Sequence, residues 1–478
     1  MVTEKSAIFI IFGGSGDLAH RKLYPSLFRL YKSGFLKDHF AVIGTARRPW
    51  SDDYFRETVI TSLKDYFDDD EEIMQGFAKH FFYQSHDVND SEHYIALKNL
   101  AAKLDDQFEA GHNRVYYMAI APRFFGTVAE HINSEGLKTD GYNRLVIEKP
   151  FGRDLDSACE LNGNISKAFP ENDIYRIDHY LGKKMVQDIP NIRATNAKFE
   201  EALNNKYVSN IQVTLAEAIG VEDRGGYYET AGVLRDMVQN HIMQIIGAIA
   251  SDAPEAKEAD VIHKNKCDLF GSLKEMTPEQ VDKDFVRGQY DTDKLGNEKA
   301  YRQEDKVAED SNIETYTAGK LEFDSKRWSG VPFYVRSGKR MPGKASRIDI
   351  VFNSNVTELG IKANTVVTLL IERTDNHSIL INGIDYKESG QDFIKFPEEG
   401  DFDNAREAYE SLIIDILSGD RVHFTLWDEL RSTWKYIDTV EERWADQQPD
   451  FPNYISGTMG PDAAEMLLER DGNSWIWD

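Results

Sequence analysis

Two cysteines, Cys159 and Cys267, are the only thiols in 478 residues, and they stand far apart. That scarcity excludes a disulfide scaffold, and with no repeated Cys or His spacing there is no ligand set for zinc, so no metal is expected. Positive charge is also in short supply. With 56 Lys and Arg against 82 Asp and Glu the formal charge is −26, and no basic arm or stripe offsets it, which excludes nucleic acid as a partner. Long apolar runs are missing too. The stretch Ala7 to Phe12 falls well short of the ~18 apolar residues of a membrane span, and no cleavage signal follows it. A reducing cytoplasm and no membrane partner are the expectation.

What is present is ordinary for a globular protein: 41% hydrophobic, 12% aromatic and 29% charged residues. At roughly 100 to 200 residues per domain the length suggests two or three domains. In so acidic a chain an anionic small substrate needs a local cationic site, so isolated clusters of Lys, Arg and His carry weight.

The run Ala7 to Phe12 reads as a strand ending in glycine, and "PSLFRLYKSGFL" after it has helical spacing. "HFAVIGTARR", "FFYQSHDV", "RVYYMAIAP" and "RLVIEKPFG" read as four further strands separated by helical stretches. Alternation of this kind predicts a parallel, doubly wound Rossmann-type sheet over residues 1–180. Residues 181–478 read as a larger α+β domain with a mostly antiparallel sheet, one face covered by helices. "SNIQVTLAEAIG", "VPFYVRSG" and "SRIDIVFNSN" have strand composition with few helices between them. The charged stretch Ser251 to Glu314 lacks clean periodicity and reads as loops and short helices.

Gly13, Gly14 and Gly16 follow the first strand and open a helix, and with Ala19 they fit a dinucleotide fingerprint. A plain tight turn is the alternative. The second strand ends in Thr45-Ala46-Arg47-Arg48 without the acid that usually binds a ribose 2′-hydroxyl. Two guanidiniums there suit a 2′-phosphate, so NADP is favoured over NAD. Asp87 and Val88, after the third strand, are candidates to flank the adenine.

Three clusters remain. "RIDHYLGKKMVQ" gathers Asp178, His179, Tyr180, Lys183 and Lys184, and helical spacing would put His179 and Lys183 on one face as a phosphate clamp; a salt-bridged surface turn is the other reading. "GVLRDMVQNHIMQII" reads as an amphipathic helix with His241 on the face of Leu234, either a core histidine or a catalytic one whose tautomer Asp178 would fix. "VRSGKRMPGKASR" places Arg336, Lys339, Arg340 and Lys344 in a loop between strands, for solubility or for an anion.

"GGSGDLAHRKLYP", "EKPFG", "RIDHYLGK", "RDMVQNH", "VPFYVRSGKR" and "AYESLIIDIL", in this order along nearly the whole chain, resemble the glucose-6-phosphate dehydrogenase family. The resemblance implies an oxidoreductase that converts glucose 6-phosphate to its lactone with NADP, the first step of the pentose phosphate pathway, with NAD as a weaker alternative. It implies His241 as general base with Asp178 orienting it, and His179, Tyr180 and Lys183 on the substrate phosphate. Lys149 falls near sugar and nicotinamide, and Glu217, Asp236, Lys339 and Lys344 on the sugar. Gly13, Ser15, Gly16, Asp17 and Leu18 match the coenzyme loop, with Arg47 on the adenosine phosphate. A homodimer is also implied. The tail Gly457-Thr458-Met459-Gly460-Pro461 departs mildly from the family's pattern. Two rivals stay open: an oxidoreductase of the glucose–fructose or inositol type acting on an unphosphorylated sugar, and a non-catalytic NADP sensor.

Overall fold

Six consecutive buried residues, Ala7–Phe12 (β1), form the strand at the centre of the first sheet, as expected where both faces of a parallel sheet are covered. The computed structural model describes residues 4–67, 70–253, 258–374, 377–396 and 406–478. Flanking β1 are Phe40–Ala46 (β2), Phe81–Ser85 (β3), Arg114–Met118 (β4), Asn143–Glu148 (β5) and Ile174–Ile177 (β6), in the spatial order β3-β2-β1-β4-β5-β6. Every pairing is parallel, which makes this a doubly wound Rossmann sheet.

The strand β6 escapes the sequence reading because it is four residues long and contains Arg176. That arginine is buried and paired: its guanidinium donates to Glu171 Oε1 at 2.6 Å and to the Thr425 carbonyl at 3.3 Å. The second contact reflects how the chain divides. One compact unit is Met1–Gly182 with Arg406–Trp427, the other Lys183–Ala405 with Asp428–Asp478. In the first unit the helix Ala408–Ser418 places Leu412, Ile413 and Ile416 in one core with Leu27 and Phe28 of the helix Tyr24–Lys32.

In the second unit Val208–Ala216 (β7), Phe285–Gly288 (β8), Tyr290–Asp291 (β9), Tyr316–Leu321 (β10), Phe333–Gly338 (β11), Ala345–Phe352 (β12), Val366–Thr374 (β13), His377–Ile381 (β14), Ile384–Asp385 (β15) and Tyr454–Ile455 (β16) are the strands. Eight of them form one sheet, ordered β15-β14-β13-β12-β7-β11-β10-β8, and only β7 and β11 pair in parallel. The helices Lys184–Thr195 and Leu234–Ile242 pack on it, the former on β13 and the latter on β7 and β11. Residues of the C-terminal segment also pair with β7, where Ile476 N donates to Gln212 Oε1 at 2.9 Å.

Three expectations are corrected. The stretch 251–314 contains a 13-residue helix, Ala259–Gly271, hidden in the sequence because two of its buried positions are polar: His263 and Lys266 both meet Glu429, at 2.6 and 2.9 Å. Arg336 is no loop cation; it is a fully buried residue of β11, its guanidinium 4.2 Å from the Trp475 ring centroid. And residues 179–183 are a turn rather than a helix, which begins only at Lys184.

Candidate active site

In the first unit the chain leaves β1 through Gly13, Gly14, Ser15, Gly16, Asp17 and Leu18 before the helical segment that starts at Ala19. The turn hugs its neighbours. Gly13 and Gly14 both donate to the Thr45 carbonyl, at 2.8 and 3.0 Å. Gly13 has φ +92°, and a Cβ there would lie 2.1 Å from the Ala119 oxygen, while one on Gly14 would lie 2.7 Å from Gly44 Cα. Glycine at these two positions is therefore set by backbone packing. Asp17 is exposed and sits 3.6 Å from Arg21.

At the end of β2, Arg47 and Arg48 are exposed, with the Arg48 guanidinium 5.5 Å from the Trp50 ring. Asp87 is exposed beside them: its carboxyl accepts from Asn89 N and Nδ2, both at 3.0 Å, and these bonds, with a smaller contribution from Arg47, hold it below the usual carboxylate range. The Val88 carbonyl accepts from Tyr94 OH at 2.9 Å. A close glycine turn at the end of the first strand of a parallel sheet fits a dinucleotide.

Lys149 follows β5 and precedes a cis peptide bond to Pro150. Its neighbour Glu148 went unnoticed in the sequence. The Glu148 carboxyl accepts from Tyr117 OH at 2.5 Å, and burial, reinforced by the nearby Asp178, pushes it up to about 7 against the opposing pull of Tyr117, Tyr409 and Lys149. Asp178, 1% exposed, directly follows β6, and its Oδ1 accepts from Tyr180 N at 2.9 Å. The turn continues with Leu181 N donating to the Asp178 carbonyl and Gly182 N to the His179 carbonyl, while the His179 and Tyr180 rings lie 4.9 Å apart. Gly182 allows close approach to the helix Ala408–Ser418: a Cβ would come within 2.6 Å of the Ala408 oxygen.

In the second unit His241 lies on Leu234–Ile242, and this segment is wound as a π-helix rather than the α-helix that the periodicity implies. Its turns close i→i+5. Leu234 and His241, seven apart, then no longer share the face that a 3.6-residue turn would give them. Asn240 supports the wide turn, its Nδ2 donating to the Arg235 carbonyl at 3.2 Å. His241 is 1% exposed and Asp236 4%, and Asp236 accepts from Tyr227 OH at 3.1 Å. Entry into this helix is held by Glu314, whose Oε1 accepts from Leu234 N at 3.0 Å and whose carbonyl accepts from Val233 N at 3.1 Å.

Glu217 and Lys339 lie just past β7 and β11, the two strands under the π-helix, and form an ion pair. The Lys339 ammonium also lies 5.4 Å from the Tyr228 ring centroid. Lys183 and Lys344 meet on a third residue absent from the sequence reading: Glu372 of β13 pairs with Lys183 through Oε1 and with Lys344 through Oε2, the latter at 2.5 Å. Within this unit the structure thus joins Lys183 to Lys344 through Glu372 and Glu217 to Lys339, and buries Asp236 and His241 on one helix. The three carboxylates Glu148, Glu314 and Glu372 were missed, and no local sequence signal marks them.

Comparison with known proteins gives a consistent result. Residues 10–188 match the family model for glucose-6-phosphate dehydrogenase, NAD binding domain, and residues 190–476 that for glucose-6-phosphate dehydrogenase, C-terminal domain. The chain is 45% identical over 485 residues to glucose-6-phosphate 1-dehydrogenase of Streptococcus pneumoniae serotype 4, covering 99% of this chain and 97% of that relative. It is 43% identical to the enzyme of Leuconostoc mesenteroides, with 100% of both covered. Among solved structures, a glucose-6-phosphate dehydrogenase in complex with its substrate glucose-6-phosphate is similar with a TM-score of 0.86 at 28% identity, covering 99% of this chain and 100% of that one.

Proposed function

The chain belongs to the glucose-6-phosphate dehydrogenase family, and from that premise we propose the residue roles and the coenzyme for its reaction, the oxidation of glucose 6-phosphate at C1. His241 accepts the proton of the C1 hydroxyl as the C1–H bond gives up its electron pair and the C1–O double bond of the lactone forms. A bound nicotinamide dinucleotide supplies the hydride acceptor. An imidazole nitrogen is the side-chain group most often used as a general base. Asp178 is the residue assigned to fix its tautomer and balance the imidazolium charge.

The observation that carries the assignment is the burial of His241 and Asp236 on the π-helix Leu234–Ile242, which packs on β7 and β11, the strands that run into the Glu217–Lys339 ion pair. Asp236, Glu217 and Lys339 then present acceptors and a donor for sugar hydroxyls, beside the base. Lys183 and Lys344, with His179 and Tyr180, hold the phosphate, and binding energy from that remote group orients C1. Lys149 adds a cation close to the reacting carbon. The coenzyme is NADP: Gly13, Gly14, Ser15, Gly16, Asp17 and Leu18 form the pyrophosphate turn, Arg47 and Arg48 take the 2′-phosphate, and Asp87 and Val88 border the adenine. The enzyme works as a cytoplasmic homodimer.

Initial rates at 340 nm with purified protein test this reading. Rapid reduction of NADP with glucose 6-phosphate, slower with NAD and far slower with free glucose, is expected. Coenzyme binding without turnover would favour the sensor. Comparable rates on glucose, with Lys183→Ala harmless, would favour an enzyme of unphosphorylated sugars.

A further inference from the structure

Two cationic side chains assigned to the substrate phosphate converge on a single carboxylate. Glu372 accepts the Lys183 ammonium on one oxygen and the Lys344 ammonium on the other, a two-pronged arrangement that a phosphate can take equally well. The three groups differ in freedom. Glu372 stands on β13, two residues past Leu370, which pairs with Arg347 of β12, in the stretch between Leu369 and Thr374 where the β13–β14 register shifts. Lys183 is the N-cap of the helix Lys184–Thr195, which packs on that strand, and Lys344 lies in the loop before β12 with its side chain 66% exposed. The carboxylate is thus anchored to the backbone of a sheet, and the ammoniums reach it from flexible stems.

Resting on the phosphate assignment above, we propose that Glu372 is a resident counter-anion that competes with the phosphate of glucose 6-phosphate for Lys183 and Lys344. A phosphate dianion and the carboxylate cannot share both ammoniums without like-charge repulsion, so the phosphate has to displace Glu372. The two lysines pull the Glu372 carboxyl below its usual range against the upward push of burial, so it is ionised when the substrate arrives. The penalty falls alike on every anion that needs both ammoniums, so it weakens glucose 6-phosphate and inorganic phosphate together and leaves an uncharged sugar untouched.

Steady-state kinetics on the full-length enzyme test this, with glucose 6-phosphate and free glucose as substrates and inorganic phosphate as inhibitor. Glu372→Gln keeps the shape and removes the charge. For a partly exposed ion pair the change is expected to lower both the KM for glucose 6-phosphate and the inhibition constant of phosphate by about 3- to 10-fold, with the KM values for glucose and coenzyme moving less than about twofold. The same substitution in a Lys183→Ala, Lys344→Ala background is expected to change neither constant. An unchanged or raised KM for glucose 6-phosphate in Glu372→Gln, while Lys183→Ala alone raises it, would overturn the competition and show a carboxylate that merely holds the lysines. If Lys183→Ala leaves that KM unchanged, the phosphate assignment itself falls.

Discussion

Gly232 and Glu314 interlock at the entrance to the helix that carries His241. Gly232 has φ +67° and ψ 169°, and a Cβ placed on it would lie 2.2 Å from Glu314 Oε1, the atom that accepts from Leu234 N at 3.0 Å. That backbone region is essentially reserved for glycine. Gly232→Ala therefore strains the backbone and drives the carboxylate off the first turn of the π-helix. A loss of roughly 2 to 4 kcal/mol in stability is expected from such strain and displacement, with kcat falling more than the KM for coenzyme. Glu314→Gln is expected to be milder, because the amide oxygen still accepts from Leu234. Urea midpoints and kcat for both variants check the order; a Gly232→Ala enzyme as stable and fast as the parent would contradict it.

His241→Asn keeps a polar side chain of similar reach and removes the titratable nitrogen pair. Turnover is expected to drop by roughly 10²- to 10⁴-fold, the usual contribution of general-base catalysis. Coenzyme affinity, read by fluorescence titration, is expected to stay within about twofold, since a proton acceptor acts in the transition state. Unaltered turnover would remove His241 from the reaction.

Arg47 and Arg48 are exposed at the end of β2. On the proposed contact of Arg47 with a 2′-phosphate, Arg47→Ala is expected to raise the KM for NADP about 10- to 100-fold while that for NAD shifts less than about threefold. Equal losses with both coenzymes would show that the arginine does not read the 2′-phosphate.

What the sequence makes legible follows from range. The run Ala7–Phe12 and the glycines behind it announce strand and turn because each signal is complete within a dozen residues. The π winding of Leu234–Ile242 is not legible: all but one of its residues are buried, so the apolar pattern does not distinguish a 3.6-residue turn from a wider one. The carboxylates are hidden by distance along the chain. Glu372 meets Lys183 across 189 residues and Glu314 meets Leu234 across 80, and a lone Glu in a strand or loop says nothing about either partner. Buried polar groups also mask elements: His263 and Lys266 break the apolar stripe of the helix Ala259–Gly271, and their partner Glu429 lies far downstream.

Glu148 couples folding to pH. Burial pushes its carboxyl from 4.5 up to about 7. Between those values the folded chain holds a proton that the unfolded chain releases. Stability contributed by this group is therefore fully present below about 4.5 and is lost as pH rises through about 7, by at most roughly 3 kcal/mol at 1.36 kcal/mol per pKa unit. Glu148→Gln carries a permanently neutral side chain, so the difference in stability between the two proteins is expected to move steadily in the variant's favour from pH 4.5 to 7 and then level off. Tyr117→Phe removes a donor that favours the ionised carboxyl, which moves the loss to higher pH. Urea unfolding midpoints at half-unit pH steps for all three proteins read this directly. Parallel curves for the parent and Glu148→Gln would mean that the carboxyl titrates alike in folded and unfolded chains, and that the Tyr117 and Lys149 interactions fully offset its burial.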